Sequence, residues 1–289
     1  MNIREIITED GSVTFISSRF NEPYHSVTAG AFREAIEKFC KPCLIEEKAR
    51  KGEVNLFDVC FGLGYNSLAF LDTVFKVNPS AQVHIVGFEF DIKVIENSAR
   101  LRWGKFERWK KILKVALRNK AFEEGFFTLN YFSPIPPKIK LKIYIGEGRE
   151  IVKRFGHKYI NFADAIFHDP FSPKVNPELW TLEFFESLKK IIKKDGILAT
   201  YSAASCVRKA LHMAGFGVKE GVAIGRKSKS TLASLKFETD ERLLKKFSIS
   251  VESTPFRDLK LKDSRELIKA RRKGCIFLQS TVIPIAPIY

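Results

Sequence analysis

Acidic residues are in short supply in this chain. Its 289 residues hold 33 Asp and Glu against 49 Lys and Arg, a formal net charge of +16. An imbalance of that size suggests a polyanionic partner, with nucleic acid the first candidate. Lys-rich surfaces also serve solubility, and abundant Lys with Glu accompanies heat tolerance, so charge alone does not carry the claim. Cysteine is sparse too: five residues, odd in number and scattered, which argues against a disulfide framework. The one close pair is Cys40 and Cys43 in "FCKPCL". A zinc site would need a second ligand pair, but His25, His84, His157, His168 and His212 stand far apart, so the pair reads as structural. No apolar run approaches the roughly 20 residues that span a bilayer. The opening "MNIREIITEDGSVTF" has no continuous apolar segment of the secretory kind. These absences lead to the expectation of a cytoplasmic protein with no membrane partner and no metal, and no internal repeat is visible.

What is present is a globular composition, 45% hydrophobic, enough for one large domain or one domain with an appendage. Strand-like and helix-like runs alternate. "VNLFDVCFG" (54–62) is a short apolar strand ended by glycine, and "YNSLAFLDTVFKV" has helical periodicity. "QVHIVGFEFD" and "IKVIENSARLRW" repeat the pair, as do "DAIFHD" with "PELWTLEFFESLKKIIKK" (177–194), and "GILATYS" with "ASCVRKALHMAGF". "KIKLKIYIGEG" (138–148) reads as a further strand, and "GCIFLQST" (274–281) as the last. The expected fold class is therefore α/β, a doubly wound, mainly parallel sheet. Residues 1–50 fall outside the rhythm and look like a cap over the sheet's front edge, ahead of a main domain over 51–289. Residues from about 225 to 272 are basic and polar, either a solvated excursion or a nucleic-acid contact surface inserted before the last strand.

In such sheets ligands bind beyond the carboxyl ends of the strands. The first strand is followed by Asp58 and "CFGLGYN", where Gly62 and Gly64 allow close backbone approach to a ligand at a helix N-terminus. A dinucleotide fingerprint needs a third glycine, and Ser67 stands in its place. Glu89, 27 residues after Gly62, is suited to accept hydrogen bonds from both hydroxyls of a ribose, and Glu147, between glycines, to meet an adenine amino group. Each could be an ordinary turn residue; together, on one edge, they suit an adenosine cofactor without a pyrophosphate, such as S-adenosyl-L-methionine. On the same edge "DPF" sets Asp169 and Phe171 at the mouth of the site, with prolines fixing the loop. The plainer alternative is a Pro-rich loop whose Phe171 and Trp180 cover the core.

The block "DAIFHDPFSPKVNPELW", continued by "ILATYSAASCVRKALHMAGF", resembles the methyltransferase domain of MnmC, the bifunctional enzyme that finishes the 5-methylaminomethyl group of the tRNA wobble uridine. Asp169, Phe171, Pro173, Asn176, Pro177, Trp180, Val207, Arg208, Leu211 and Ala214–Phe216 match that family's pattern in order; "FGLGYN" matches its glycine-rich motif through Phe61, Gly62, Gly64 and Asn66, and "EPYHS" brings Tyr24. The resemblance implies a class I, Rossmann-like S-adenosyl-L-methionine-dependent methyltransferase. It implies a cofactor site of Tyr24, Asp58, Phe61, Gly62, Gly64, Asn66, Glu89, Glu147, Gly148 and Asp169, with Asp169 also catalytic, and a substrate site of Phe171, Pro173, Trp180 and Arg208. The implied reaction is N-methylation of 5-aminomethyl-(2-thio)uridine in the anticodon region of tRNA. Cys60 departs from the pattern, standing where the motif usually begins with glycine. The chain ends at Tyr289 without a second nucleotide-binding half, so a stand-alone methyltransferase is expected, without oxidase activity and fed by separate enzymes that make the aminomethyl group. The rival readings are a polyamine synthase, an adenine methyltransferase, and an RNA-binding protein whose cofactor site has decayed.

Overall fold

In the computed structural model the described residues are 5–281 except 226, with no side chain described at 105 or at 278–281. The N-terminal segment forms a hairpin of β1 (Glu5–Ile7) and β2 (Val13–Phe15), then helix α1 (Ala31–Glu34), which runs directly into a π-helical turn, Ala35–Cys40. Helix α2 (Ile45–Ala49) leads into β3 (Glu53–Val59), α3 (Tyr65–Val77), β4 (Gln82–Glu89) and α4 (Ile92–Ser98). Next come α5 (Lys110–Arg118), β5 (Lys120–Glu123), β6 (Phe126–Ser133), β7 (Lys138–Ile145), α6 (Gly148–Phe155), β8 (Ala163–His168), α7 (Leu182–Ile191) and β9 (Ile192–Thr200). The chain continues with α8 (Ser205–Met213), β10 (Gly217–Glu220), β11 (Thr231–Ser234), α9 (Glu241–Ile249) and α10 (Arg265–Thr281).

Nine strands form one sheet in the order β10-β11-β9-β8-β3-β4-β7-β6-β5. The five central strands are parallel, and the pairs at both ends are antiparallel. Alternation along β3 explains why it lies in the middle: Val54 and Leu56 enter one hydrophobic cluster, Phe57 and Val59 the other, so both faces are covered. From β3 the chain proceeds to β4 and β7 on one side and returns to β8 and β9 on the other. The order therefore reverses between β3 and β8, which stay paired up to Val59 and His168, and a crevice lies just beyond their carboxyl ends. Among the described residues no helix is long and apolar enough to cross a membrane, and no cluster of three His, Cys, Asp or Glu could hold a metal ion.

Several expectations need correction. "GCIFLQST" is the continuation of α10, not a strand; Ser264 Oγ accepts from Leu267 N–H at the start of that helix (3.2 Å), and Phe277 is 67% exposed, which a buried strand would not allow. A short apolar run cannot be assigned by periodicity alone. The helix expected to reach Lys194 stops at Ile191, because the carbonyls of Lys190 and Ile191 accept from Asn161 and Phe162 N–H (3.0 and 2.8 Å). The basic segment from 225 is no solvated excursion: β11 pairs with β9 inside the sheet, and α9 buries Leu243 and Phe247. The hairpin β5–β6 was absent from the expectations altogether.

Candidate active site

The crevice opens into a cavity of about 730 Å³, within the range of small-molecule sites. One wall is the turn after β3. Cys60, Gly62 and Gly64 all adopt positive φ (65, 56 and 90°), which wraps the backbone tightly before α3. A β-carbon on Gly64 would lie 2.8 Å from the Phe61 ring, so space requires glycine there, whereas one on Gly62 would find only ordinary contact, 3.7 Å from Tyr24 Cδ1, and its positive φ is what favours glycine. Ser67, in place of the third glycine, donates to Asp58 Oδ2 (2.5 Å), while Asp58 Oδ1 is buried without a partner. Burial pushes the Asp58 carboxyl up to about 7.

Glu89, at the end of β4, accepts from Gly62 N–H at Oε2 (2.9 Å) and from Asp91 N–H at Oε1 (3.1 Å). The two bonds fix both oxygens toward the cavity and leave each a lone pair, the arrangement a vicinal diol requires. Burial raises this carboxyl despite those bonds. Across the cleft Glu147 caps α6, accepting from Arg149 and Glu150 N–H (3.3 and 3.2 Å), and Gly148 follows it on the wall. Asp169, just past β8, accepts from Asn66 Nδ2 (2.8 Å). Burial holds its carboxyl well above the usual range, helped by the charge of Glu34.

The N-terminal segment closes the front. Phe20 stacks on Phe171 with centroids 4.6 Å apart, and Tyr24 meets the same ring edge-on at 5.0 Å. Glu22 grips Ser172, accepting from its N–H (2.9 Å) and its hydroxyl (2.5 Å). Arg19 lies over the exposed Phe90 ring at 4.1 Å.

Of the residues expected here, Tyr24, Phe61, Gly62, Glu89, Glu147, Gly148, Asp169 and Phe171 line the cavity. Asp58, Gly64 and Asn66 stand directly behind them, through the contacts just given. Three expected substrate contacts lie elsewhere. Trp180 is fully buried and donates from Nε1 to the Phe171 carbonyl (2.8 Å), so it braces the loop from beneath. Pro173 sits inside the turn in which Val175 and Asn176 N–H both bond Ser172 O. Arg208 is committed to Thr231, Glu220 and the Lys229 carbonyl, away from the cavity. Sequence reading missed His25, Glu34 and Lys38, which line the cavity floor. In "AFREAIEKF" the two charges four apart read as a solvent-facing helical pair, and nothing in the spacing announces the π-helical turn that carries Lys38.

A buried carboxylate with both oxygens held by backbone N–H groups, a glycine-rich turn, a helix-capping glutamate and an aspartate beside an aromatic ring, all on one carboxyl edge of a Rossmann-like sheet, suit an S-adenosyl-L-methionine-dependent methyltransferase. The sequence model of a family described as S-adenosyl-L-methionine-dependent methyltransferase matches residues 115–236. The crystal structure of MnmC2 from Aquifex aeolicus superposes with a TM-score of 0.78 and 35% identity over 96% of this chain and 86% of that one. An uncharacterised protein of Methanocaldococcus jannaschii is 30% identical over 90% of this chain and 69% of its own. The bifunctional MnmC of Azoarcus is 30% identical over 76% of this chain. The chain belongs to the family of the MnmC methyltransferase domain. It spans about a third of the length of the bifunctional relatives, 33% for the Azoarcus protein.

Proposed function

We propose that this methyltransferase acts on tRNA, converting the 5-aminomethyl group of a wobble uridine, with or without a 2-thio group, to 5-methylaminomethyl. The single observation that carries the reading is the coupling of Asp169 and Phe171 at the cavity mouth with 35% identity to the Aquifex MnmC2 structure along nearly the whole chain. When bound, S-adenosyl-L-methionine supplies an electrophilic methyl group on a sulfonium. Glu89 would hold the ribose hydroxyls, Glu147 and Gly148 the adenine side, and the turn from Cys60 to Gly64 the body of the cofactor.

The protein's own residues serve the acceptor. An ammonium has no lone pair, so the amine must react neutral, and desolvation in a closed cavity lowers its pKa. Asp169, fixed by Asn66, orients the amine through its carboxyl oxygens. Phe171, stacked on Phe20 through one face and met edge-on by Tyr24, sets an aromatic ring at the mouth for the base, a contact worth roughly 1–3 kcal/mol in nucleic-acid complexes. The exposed lysines of the C-terminal part, Lys245, Lys260, Lys262 and Lys273, supply positive surface for the phosphate backbone.

The test is methyl transfer from labelled cofactor to tRNA isolated from cells lacking the final wobble methylation, followed by nucleoside analysis. Label in 5-methylaminomethyluridine, thiolated or not, is the expected result. Cofactor binding with no label in that nucleoside would overturn the substrate while leaving the enzyme class intact.

A further inference from the structure

The cavity floor carries charged side chains that the cofactor contacts leave unused. Glu34, at the end of α1, and Lys38, in the π-helical turn, form an ion pair of 2.6 Å with side chains 7% and 2% exposed. The other oxygen of Glu34 accepts from Ser26 N–H (3.1 Å) and lies 3.9 Å from His25 Nδ1. His25 is 6% exposed and lines the cavity, and neither of its ring nitrogens has a hydrogen-bond partner. A buried ion pair recovers little of its desolvation cost, and an unpartnered buried imidazole is unfavourable in its own right. Bearing both at a cavity wall is expected where an incoming ligand completes the contacts.

The missing contact has a definite chemistry. The imidazole, neutral because burial pushes it down to about 4, offers an acceptor nitrogen. Glu34 is kept charged: burial opposes this, but the Lys38 ammonium at 2.6 Å more than offsets it. A primary alkylammonium, cationic and with more than one N–H, can meet both at once, one N–H turned to the carboxylate and another to the imidazole.

We propose that Glu34 and His25 form the subsite that receives the substrate's alkylammonium, Glu34 matching its charge and the free imidazole nitrogen taking one of its protons. One N–H bond of the ammonium breaks, its electron pair stays on nitrogen as the lone pair that attacks, and the proton passes by way of the imidazole beside Glu34 to solvent at the cavity mouth, the imidazole carrying it only in transit. This rests on the reading above that the methyl acceptor is an amine, and it locates the group that makes the amine neutral on the N-terminal cap and not on the sheet.

Glu34→Gln alone would strand Lys38, so the variants are Glu34→Gln with Lys38→Met, and separately His25→Phe. Anticodon stem-loops carrying 5-aminomethyluridine or the neutral 5-hydroxymethyl counterpart are titrated into the whole chain loaded with S-adenosylhomocysteine, and methyl transfer is measured on the same RNAs. Wild-type protein is expected to prefer the amine loop by about tenfold or more, and the double variant to lose that preference. His25→Phe is expected to keep the preference and slow transfer by about 100-fold. All three should bind S-adenosylhomocysteine alike. A preference that survives in the double variant overturns the role of Glu34, and wild-type transfer in His25→Phe overturns that of His25. A Glu34-dependent preference with no transfer would keep the subsite and overturn the methylation reading. No preference in the wild type overturns the subsite, whatever transfer shows.

Discussion

Two buried polar clusters in this protein have opposite hydrogen-bond accounts. Around Arg208 each guanidinium nitrogen has an acceptor: Nε reaches Thr231 Oγ1 (2.9 Å), Nη1 Glu220 (2.8 Å) and Nη2 the Lys229 carbonyl (2.9 Å). Around the cavity, Asp58 Oδ1, Asn66 Oδ1 and both nitrogens of His25 have none. The first cluster is closed and joins α8 to β10 and β11; the second awaits something. Lack of a partner is informative only at a cavity, since His168 is also unpartnered yet lies away from it, its ring edge-on to Trp180 at 4.6 Å and close to Phe185. Completed networks belong to architecture, and incomplete ones facing a cavity belong to chemistry.

Substitutions can break that contrast, and the largest effect is expected at Asp169. Asp169→Ala should lower methyl transfer by about 10³-fold or more while calorimetry finds cofactor affinity within a few fold. Lost affinity would instead reassign Asp169 to the cofactor. Arg208→Met should do the reverse: a urea titration is expected to give about 3 kcal/mol less stability, with transfer by the folded fraction unchanged. Collapse of transfer at constant stability would erase the distinction between the clusters.

Asp58 sharpens it through pH. Its folded pKa, raised by burial to about 7, exceeds the ordinary value of 3.8, so its contribution to stability is complete below about pH 4 and is lost as pH rises toward 7. Asp58→Asn should therefore gain on the wild type across that window, by on the order of 4 kcal/mol at its upper end, as followed by melting temperature. Cys60→Gly is expected to add about 1 kcal/mol, because φ of 65° strains a residue with a β-carbon; an unchanged midpoint in denaturant would show that the turn carries no strain. Exchanging the exposed Lys245, Lys260, Lys262 and Lys273 for Gln should leave stability alone, weaken tRNA binding, and flatten the slope of log affinity against log salt by about 0.7–0.9 for each phosphate no longer neutralised. An unaltered slope would remove this surface from the interface.

The parallel core and its crevice were legible because β3, β4 and β8 are short runs apolar on both faces, each followed by a helix. The wall proposed for the cofactor was legible too, since the residues that line it sit at the ends of strands: Gly62 after β3, Glu89 closing β4, Glu147 after β7. The floor was not. Glu34 and Lys38 face the cavity only because the cap folds over the sheet, a contact between distant segments that leaves no local pattern. Arg208 failed for the converse reason: a matched motif position says that a residue type is required, not whether substrate or Thr231 requires it. The hairpin β5–β6 was missed because its exposed phenylalanines, Phe122 and Phe127, break the expected alternation.

The grip of Glu22 on Ser172 has a consequence for timing. Two hydrogen bonds to one carboxylate contribute together about 3–4 kcal/mol, and they tie the N-terminal cap to the loop after β8 across 150 positions of sequence. Removing that tie by Glu22→Ala is expected to hasten cofactor exchange, read as a faster dissociation rate of S-adenosylhomocysteine; an unchanged rate would leave the contact a matter of architecture alone.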